Sequence, residues 1–265
     1  MLNQPGIALV RRPSDELGDG IVTHIDRVPV DVDLAVEQHA AYRAALAAAG
    51  WDLREVEPAP GCPDAPFVED SVVVVDGTAV LTRSGAEIRR GETSGAEKAV
   101  RELGLDVVRI TGPATLDGGD VLQVRDTVYV GRGGRTNAEG IRQLRSFLAP
   151  LKRTVVPVRL EAVLHLKSAV TALPDGTFLA LPELLEPGVF PASRPVDEEA
   201  GCHVVPLGGD EVLISAAAPR TVDRLADLGF MPRVVDISEF EKLEGCVTCL
   251  SVLIPGPHPV NKETP

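Results

Sequence analysis

Residues 67–83 read FVEDSVVVVDGTAVLTR. Two acids, Glu69 and Asp70, lead into the strand-like run 71–75. The pair Asp76-Gly77 follows, and a second run, 78–83, returns. Asp-Gly between two β-branched runs signals a two-residue hairpin, because both turn residues must accept positive φ. Beyond it, 94–103 reads as a helix stopped by Gly104, and 106–110 as a further strand. The unit is thus a polar tip, a hairpin, a helix and a strand.

The pattern recurs. From Leu116, strands 121–124 and 127–130 flank the turn Arg125-Asp126, with helix 137–148 and strand 154–158 behind them. From Leu164, strands 168–173 and 177–181 flank Pro174-Asp175-Gly176, and helix 196–201 and strand 203–206 complete a third unit. A fourth has strand 211–215, helix 221–228 and strand 233–236. The last strand, 248–254, needs the N-terminal strand 6–10 as its hairpin partner. Helix 34–49 and strand 53–56 then finish a fifth unit. Five units closing head to tail make a ring without open sheet edges. An open α/β sheet is the alternative. The ring reading makes residues 1–265 a single domain.

The chain is globular in composition, 44% apolar and 25% charged. Its net charge of −13 argues against nucleic acid or an anionic membrane as partner, since both need a basic face. No run approaches the ~20 apolar residues of a membrane span. The apolar run 7–10 is too short for the core of a signal peptide. A cytoplasmic protein is expected, with Cys62, Cys202, Cys246 and Cys249 reduced.

Polar clusters stand where the apolar strands begin: 67–70, 116–120, 164–168 and 245–249. Taken singly, each has a plain reading. Glu69-Asp70 is a solvated strand end, Gly118-Gly119 a turn, and His165 a satisfied core histidine. Cys246-Val-Thr-Cys249 could suggest zinc or a thioredoxin-type motif. Zinc would need a second ligand pair, and none exists. A redox motif should open a helix, whereas Val247, Thr248, Val252 and Ile254 favour a strand. Nucleotide-binding glycine fingerprints are absent, so neither cofactor nor metal is expected. Taken together, the clusters supply a mechanism. Cys249 is a nucleophile if an adjacent group favours its thiolate. His165 can serve as acid and base. Asp117 can orient the imidazole. Glu69 and Asp70 can hold a planar cation through paired hydrogen bonds.

At these residues the chain resembles the dimethylarginine dimethylaminohydrolases of the guanidine-modifying superfamily, the penteins. The matching stretches are Asp64-x-x-Phe67-Val-Glu-Asp70, Leu116-Asp-Gly-Gly-Asp120, Arg135-Thr-Asn137, Leu164-His-Leu-Lys-Ser168 and Thr248-Cys-Leu-Ser251. The resemblance implies a five-bladed α/β propeller. It implies a small-molecule substrate, Nω-methylated arginine, hydrolysed to citrulline by a monomer or homodimer. Cys249 would attack the guanidinium carbon to form a thiouronium, and His165, backed by Asp117, would protonate the leaving amine and activate water. Glu69 and Asp70 would grip the guanidinium, and Arg89 and Arg135 the α-carboxylate. Asp64 and the backbone near Val22 would meet the α-amino group, with residues 15–23 as a lid. Leu243 and Glu244, the latter where the family often has Asp, would complete the substrate site. Arginine deiminases and amidinotransferases share this fold. A non-catalytic binding propeller is the rival of another class, and the Cys-His-acid set speaks against it.

Overall fold

The structure is a computed structural model that describes residues 5–256; the extremes of the expected 1–265 domain lie outside the described residues. The decisive hairpin forms as expected. Strands β3 (Val72–Val75) and β4 (Thr78–Leu81) pair antiparallel, following β1 (Ile7–Val10), α1 (Val32–Ala48) and β2 (Asp52–Glu55). Asp76 and Gly77 carry φ of 46° and 82°, the positive values the two-residue turn demands. Helix α2 (Thr93–Glu102) then crosses back, and β5 (Asp106–Arg109) lies parallel to β4. The second blade repeats this with β6 (Val121–Val124), β7 (Thr127–Arg132), α3 (Ala138–Leu148) and β8 (Thr154–Arg159). Asn137 caps α3 by accepting from the Gly140 N–H.

The third blade departs from expectation. It consists of β9 (Val170–Ala172), β10 (Phe178–Ala180) and β11 (Ser193–Pro195). Its crossover carries a 3-10 turn, Pro182–Leu184, in place of an α-helix. Four prolines, 182, 187, 191 and 195, fall in this stretch, and each removes a donor and obstructs a helix. The expected helix 196–201 is a short 3-10 turn, Glu199–Cys202. The strand expected at 203–206 belongs to the next blade, as β12 (Val204–Gly208) pairing with β13 (Glu211–Ser215). Helix α4 (Pro219–Asp227) and β14 (Met231–Val235) complete that fourth blade.

After the short helix α5 (Ser238–Glu241), the last strand β15 (Val252–Ile254) pairs antiparallel with β1, and β1 runs parallel to β2. The termini therefore close the ring. Five three-stranded sheets share one connectivity, each with an antiparallel inner pair and a parallel outer strand. This is the five-bladed α/β propeller. Apolar clusters fill the wedges between blades; Val73, Val80 and Leu116 pack with Val128, Ile141 and Leu144, for example. Residues of β3, β6, β9, β12 and β15 line a cavity of about 190 Å³ on the axis. Among the described residues no helix is long and apolar enough to cross a membrane.

Candidate active site

Each inner strand is preceded by a tight turn. These turns are Val68–Ser71, Gly118–Asp120, Leu166–Ser168 and Glu199–Cys202, with a turn over 246–249 ahead of β15. The pseudo-symmetry brings four polar clusters to one end of the axis. There Asp70, Arg89, Arg135, His165, Leu243, Glu244 and Cys249 line a small cavity of about 20 Å³ with Ile21, Asp64, Phe67, Leu164 and Gly245.

Two glycines permit this convergence. A Cβ on Gly118 would sit 1.9 Å from the Glu69 carbonyl oxygen, and one on Gly119 would sit 2.5 Å from His165 Nδ1. The first clash is with backbone, so no larger residue fits there. The Gly119 N–H also donates to Asp70 Oδ1 at 2.8 Å. The Gly118-Gly119 pair thus does more than turn the chain.

His165 is 4% exposed. Its Nε2 lies 3.2 Å from Asp117 Oδ2 and 3.8 Å from Asp70 Oδ1. Burial pushes the imidazole down, but Asp70, the Asp117 hydrogen bond and Asp120 outweigh it and raise it to about 9. At neutral pH it is an imidazolium. Asp117 is fully buried and also accepts from the Gly85 N–H at 2.9 Å and Ser84 Oγ at 3.3 Å. Burial alone would raise Asp70, yet His165 and then Arg89 hold it well below the carboxylate range.

Cys249 is 9% exposed. Its Sγ lies 3.3 Å from Cys246 Sγ and accepts from the Cys246 N–H at 3.4 Å. The Cys246 sulfur, burial, and the charges of Glu69 and Asp70 push its thiol up. A cation bound beside these carboxylates would cancel part of that field and favour the thiolate.

The two acids of the opening stretch part company. Glu69 does not line this cavity. Its carboxylate pairs with Lys167 Nζ at 2.5 Å and accepts from Thr248 Oγ1 at 3.1 Å, and it borders the axial cavity on the other side. Burial raises Glu69 to about 7 against the pull of Lys167. The expected joint grip of Glu69 and Asp70 is thus corrected: neighbours on a tight turn point to different sides, and Asp70 alone faces Cys249's cavity.

Arg89 is also placed differently from expectation. It is buried, with Nη1 on Asp70 at 2.7 Å and Nε and Nη2 on Glu92 at 2.8 and 2.9 Å. Nη2 further reaches the Asp64 and Phe67 carbonyls at 3.3 Å. Most of its donors are committed to the protein. Arg135 is freer; its Nη1 is buried without a hydrogen-bond partner, 3.7 Å from Asp117. Asp64 accepts the Ile21 N–H at 3.1 Å on both oxygens. Ile21 lines the cavity, while Val22 packs against the apolar core, so the expected Val22 position shifts by one residue. Glu244 accepts from the Thr23 and His24 N–H groups at 2.5 and 2.9 Å, tying that segment to the loop before Cys249.

Two participants were not expected. Glu92 stands three residues beyond Arg89, a helical spacing visible in the sequence. Asp120 Oδ1 accepts the Leu166 N–H at 3.0 Å, which fixes the backbone beside His165. Burial raises Asp120 to about 6. Asp70, Asp117 and His165 offer donor atoms within 4.8 Å of one another. A charged imidazole and the adjacent guanidinium groups already balance the two acids, so this set is poorly suited to a metal ion.

No family model matches the chain. It is 59% identical over 246 residues to the N(G),N(G)-dimethylarginine dimethylaminohydrolase of Streptomyces coelicolor, covering 92% of this chain and 95% of that one. It resembles the Pseudomonas aeruginosa enzyme of that name, solved as a cysteine-to-serine variant with citrulline. The TM-score is 0.88 at 34% identity, over 96% of this chain and 100% of that one. A histidine-to-glycine variant solved as an adduct with S-methyl-L-thiocitrulline superposes with a TM-score of 0.87 at 34% identity, over 96% and 100% of the two chains.

Proposed function

The chain belongs to the dimethylarginine dimethylaminohydrolases, and on that premise we propose how its own residues perform the hydrolysis. The protein hydrolyses Nω-methylated arginine, a small molecule, to citrulline and a methylamine or dimethylamine. One observation carries the assignment of roles. Cys249, an imidazolium at His165 and the ionised Asp70 share a single cavity with the unpartnered nitrogen of Arg135.

The substrate guanidinium lies against Asp70, and its positive charge favours loss of the Cys249 proton to solvent as the substrate enters. The thiolate adds to the guanidinium carbon. His165 gives its proton to the departing amine, the C–N bond breaks, and a thiouronium remains on Cys249. The neutral imidazole then takes a proton from water, hydroxide adds to the same carbon, and the C–S bond breaks to release citrulline. Asp117 and Asp120 hold the imidazole in place. Arg135 takes the α-carboxylate, while Arg89 fixes Asp70. Asp64, with Leu243 and Glu244 beside it, receives the α-amino end.

The mechanism asks for no residue from a second copy of the chain, so a monomer or a homodimer would serve it. The acidic surface disfavours nucleic acid and anionic membranes, and four unbridged thiols suit the cytosol. The test is amine release from free Nω-methylarginines, arginine and an N-acetyl methylarginine amide. The reading expects the free methylated amino acids to be hydrolysed most efficiently. Equal kcat/KM for the capped amide would refute the carboxylate contact.

A further inference from the structure

The mechanism uses one cysteine, yet a second stands against it. Cys246 Sγ lies 3.3 Å from Cys249 Sγ. The Cys249 N–H donates to the Cys246 carbonyl at 3.0 Å, the hydrogen bond that closes a four-residue turn. Such a turn holds its end Cα atoms within about 7 Å, which overlaps the roughly 4.4–6.8 Å a disulfide spans. The 3.3 Å between the sulfurs places both side chains on one side of the turn.

The other two cysteines lack such a neighbour. Cys62 Sγ faces the Ile88 carbonyl at 3.6 Å. Cys202 Sγ faces the carbonyls of Ser168 and Glu199 at 3.4 and 3.2 Å. Neither lines the cavity that holds Cys249. Cys246 is 4% exposed and also does not line it. A small oxidant entering by the substrate's path therefore meets Cys249 first.

We propose that Cys246 and Cys249 form an oxidative modification site, in which Cys246 is the resolving thiol that converts oxidised Cys249 into a disulfide. The inference rests on the reading of Cys249 as nucleophile. The oxidant class is a hydroperoxide. Cys249 gives up its proton as its sulfur attacks one peroxide oxygen, the O–O bond breaks, and the departing hydroxide takes that proton to become water. Cys249 is then a sulfenic acid. Cys246 attacks that sulfur, the S–S bond forms, and the hydroxyl leaves as water with the Cys246 proton. Two thiols are oxidised by two electrons, and one hydrogen peroxide is reduced to two waters. A bridged Cys249 cannot attack substrate. A dithiol restores it by exchange, whereas over-oxidised sulfur is not restored. Substrate or product in the cavity should shield the pair.

The experiment treats the full-length protein with hydrogen peroxide, with and without citrulline. It follows turnover, free thiols, intact mass and the non-reduced peptide map. Wild type should lose at least tenfold in turnover, two free thiols and the mass of two hydrogens. Dithiothreitol should restore it, and citrulline should slow the loss several-fold. Cys246→Ser should instead go on to gain two or three oxygens on Cys249, as the sulfinic or sulfonic acid, and its lost activity should not return with dithiothreitol. If wild type gains oxygen on Cys249 while Cys246 stays a free thiol, the proposal is overturned. The wild-type peptide map decides this even where the variant fails to fold. A bridged protein that keeps full turnover would overturn Cys249 as nucleophile while leaving the bridge established.

Discussion

Glu69 and Asp70 are adjacent acids on one 3-10 turn, and they line different cavities. Asp70 is ionised between His165, Arg89 and the Gly119 N–H, in the cavity of Cys249. Glu69 is raised to about 7 and occupied by Lys167 and Thr248 at the axial cavity. The difference lies in what surrounds each carboxylate. Cations and an N–H donor keep one charged at the cavity of Cys249. Burial behind a single lysine leaves the other raised to about 7 under the Cys249 loop.

The largest expected effect of breaking this comparison falls on the Asp70 side. Asp70→Asn removes the principal support of the imidazolium and one anchor of Arg89. Turnover should fall roughly 10²–10⁴-fold, the worth of the acid–base group it sustains. Leaving a buried ion pair half-made should cost about 3–5 kcal/mol of stability, readable by denaturant unfolding. Near-normal activity in a folded Asp70→Asn would end the distinction.

Next comes Arg135→Ala, which should lower kcat/KM for the free amino acid by roughly 10²-fold, because a carboxylate is left unpaired. The capped amide, lacking that carboxylate, should be little affected. Equal losses on both would make Arg135 structural.

His165 supplies a pH test. Its value in the folded protein, about 9, lies above the ordinary 6.5. Its protonation therefore stabilises the fold in full below about 6.5, and that contribution is lost as pH rises through 9. Amine protonation should fail over the same upper range, giving an alkaline limb in kcat near pH 9. Asp117→Asn should move that limb downward, and an unmoved limb would separate Asp117 from the proton transfer. Thermal unfolding of wild type, but not of His165→Gln, should lose stability between pH 7 and 10.

The smallest effect is expected at Glu69. Glu69→Gln should change kcat/KM by less than about tenfold. Removing its charge should also ease Cys249 ionisation and speed alkylation by iodoacetamide by roughly two- to tenfold. A loss as large as that of Asp70→Asn would place Glu69 on the substrate.

The repeating hairpins made the fold legible. Asp76-Gly77 marks its turn through backbone chemistry alone, and the pairing of β15 with β1 follows from two strands that otherwise lack partners. The third blade misled because its crossover is short and proline-rich, so no helical period marks where the blade ends and β12 begins. In the site, residue type and order pointed to Cys249, His165 and Asp117. The directions of side chains were not legible. A tight turn separates Glu69 from Asp70, and the commitment of Arg89 to Asp70 depends on an approach across 19 residues that spacing does not encode. Asp120 was visible only as part of a motif, since its role is to hold a backbone N–H 46 residues away.

The most direct test of the account is the mass of the trapped intermediate. His165→Ala, mixed with Nω-methylarginine and quenched in acid, should carry the substrate less its methylamine on the Cys249 peptide. Cys249→Ser should carry nothing and should not turn over. An adduct on Cys246, or turnover that survives Cys249→Ser, would contradict the account.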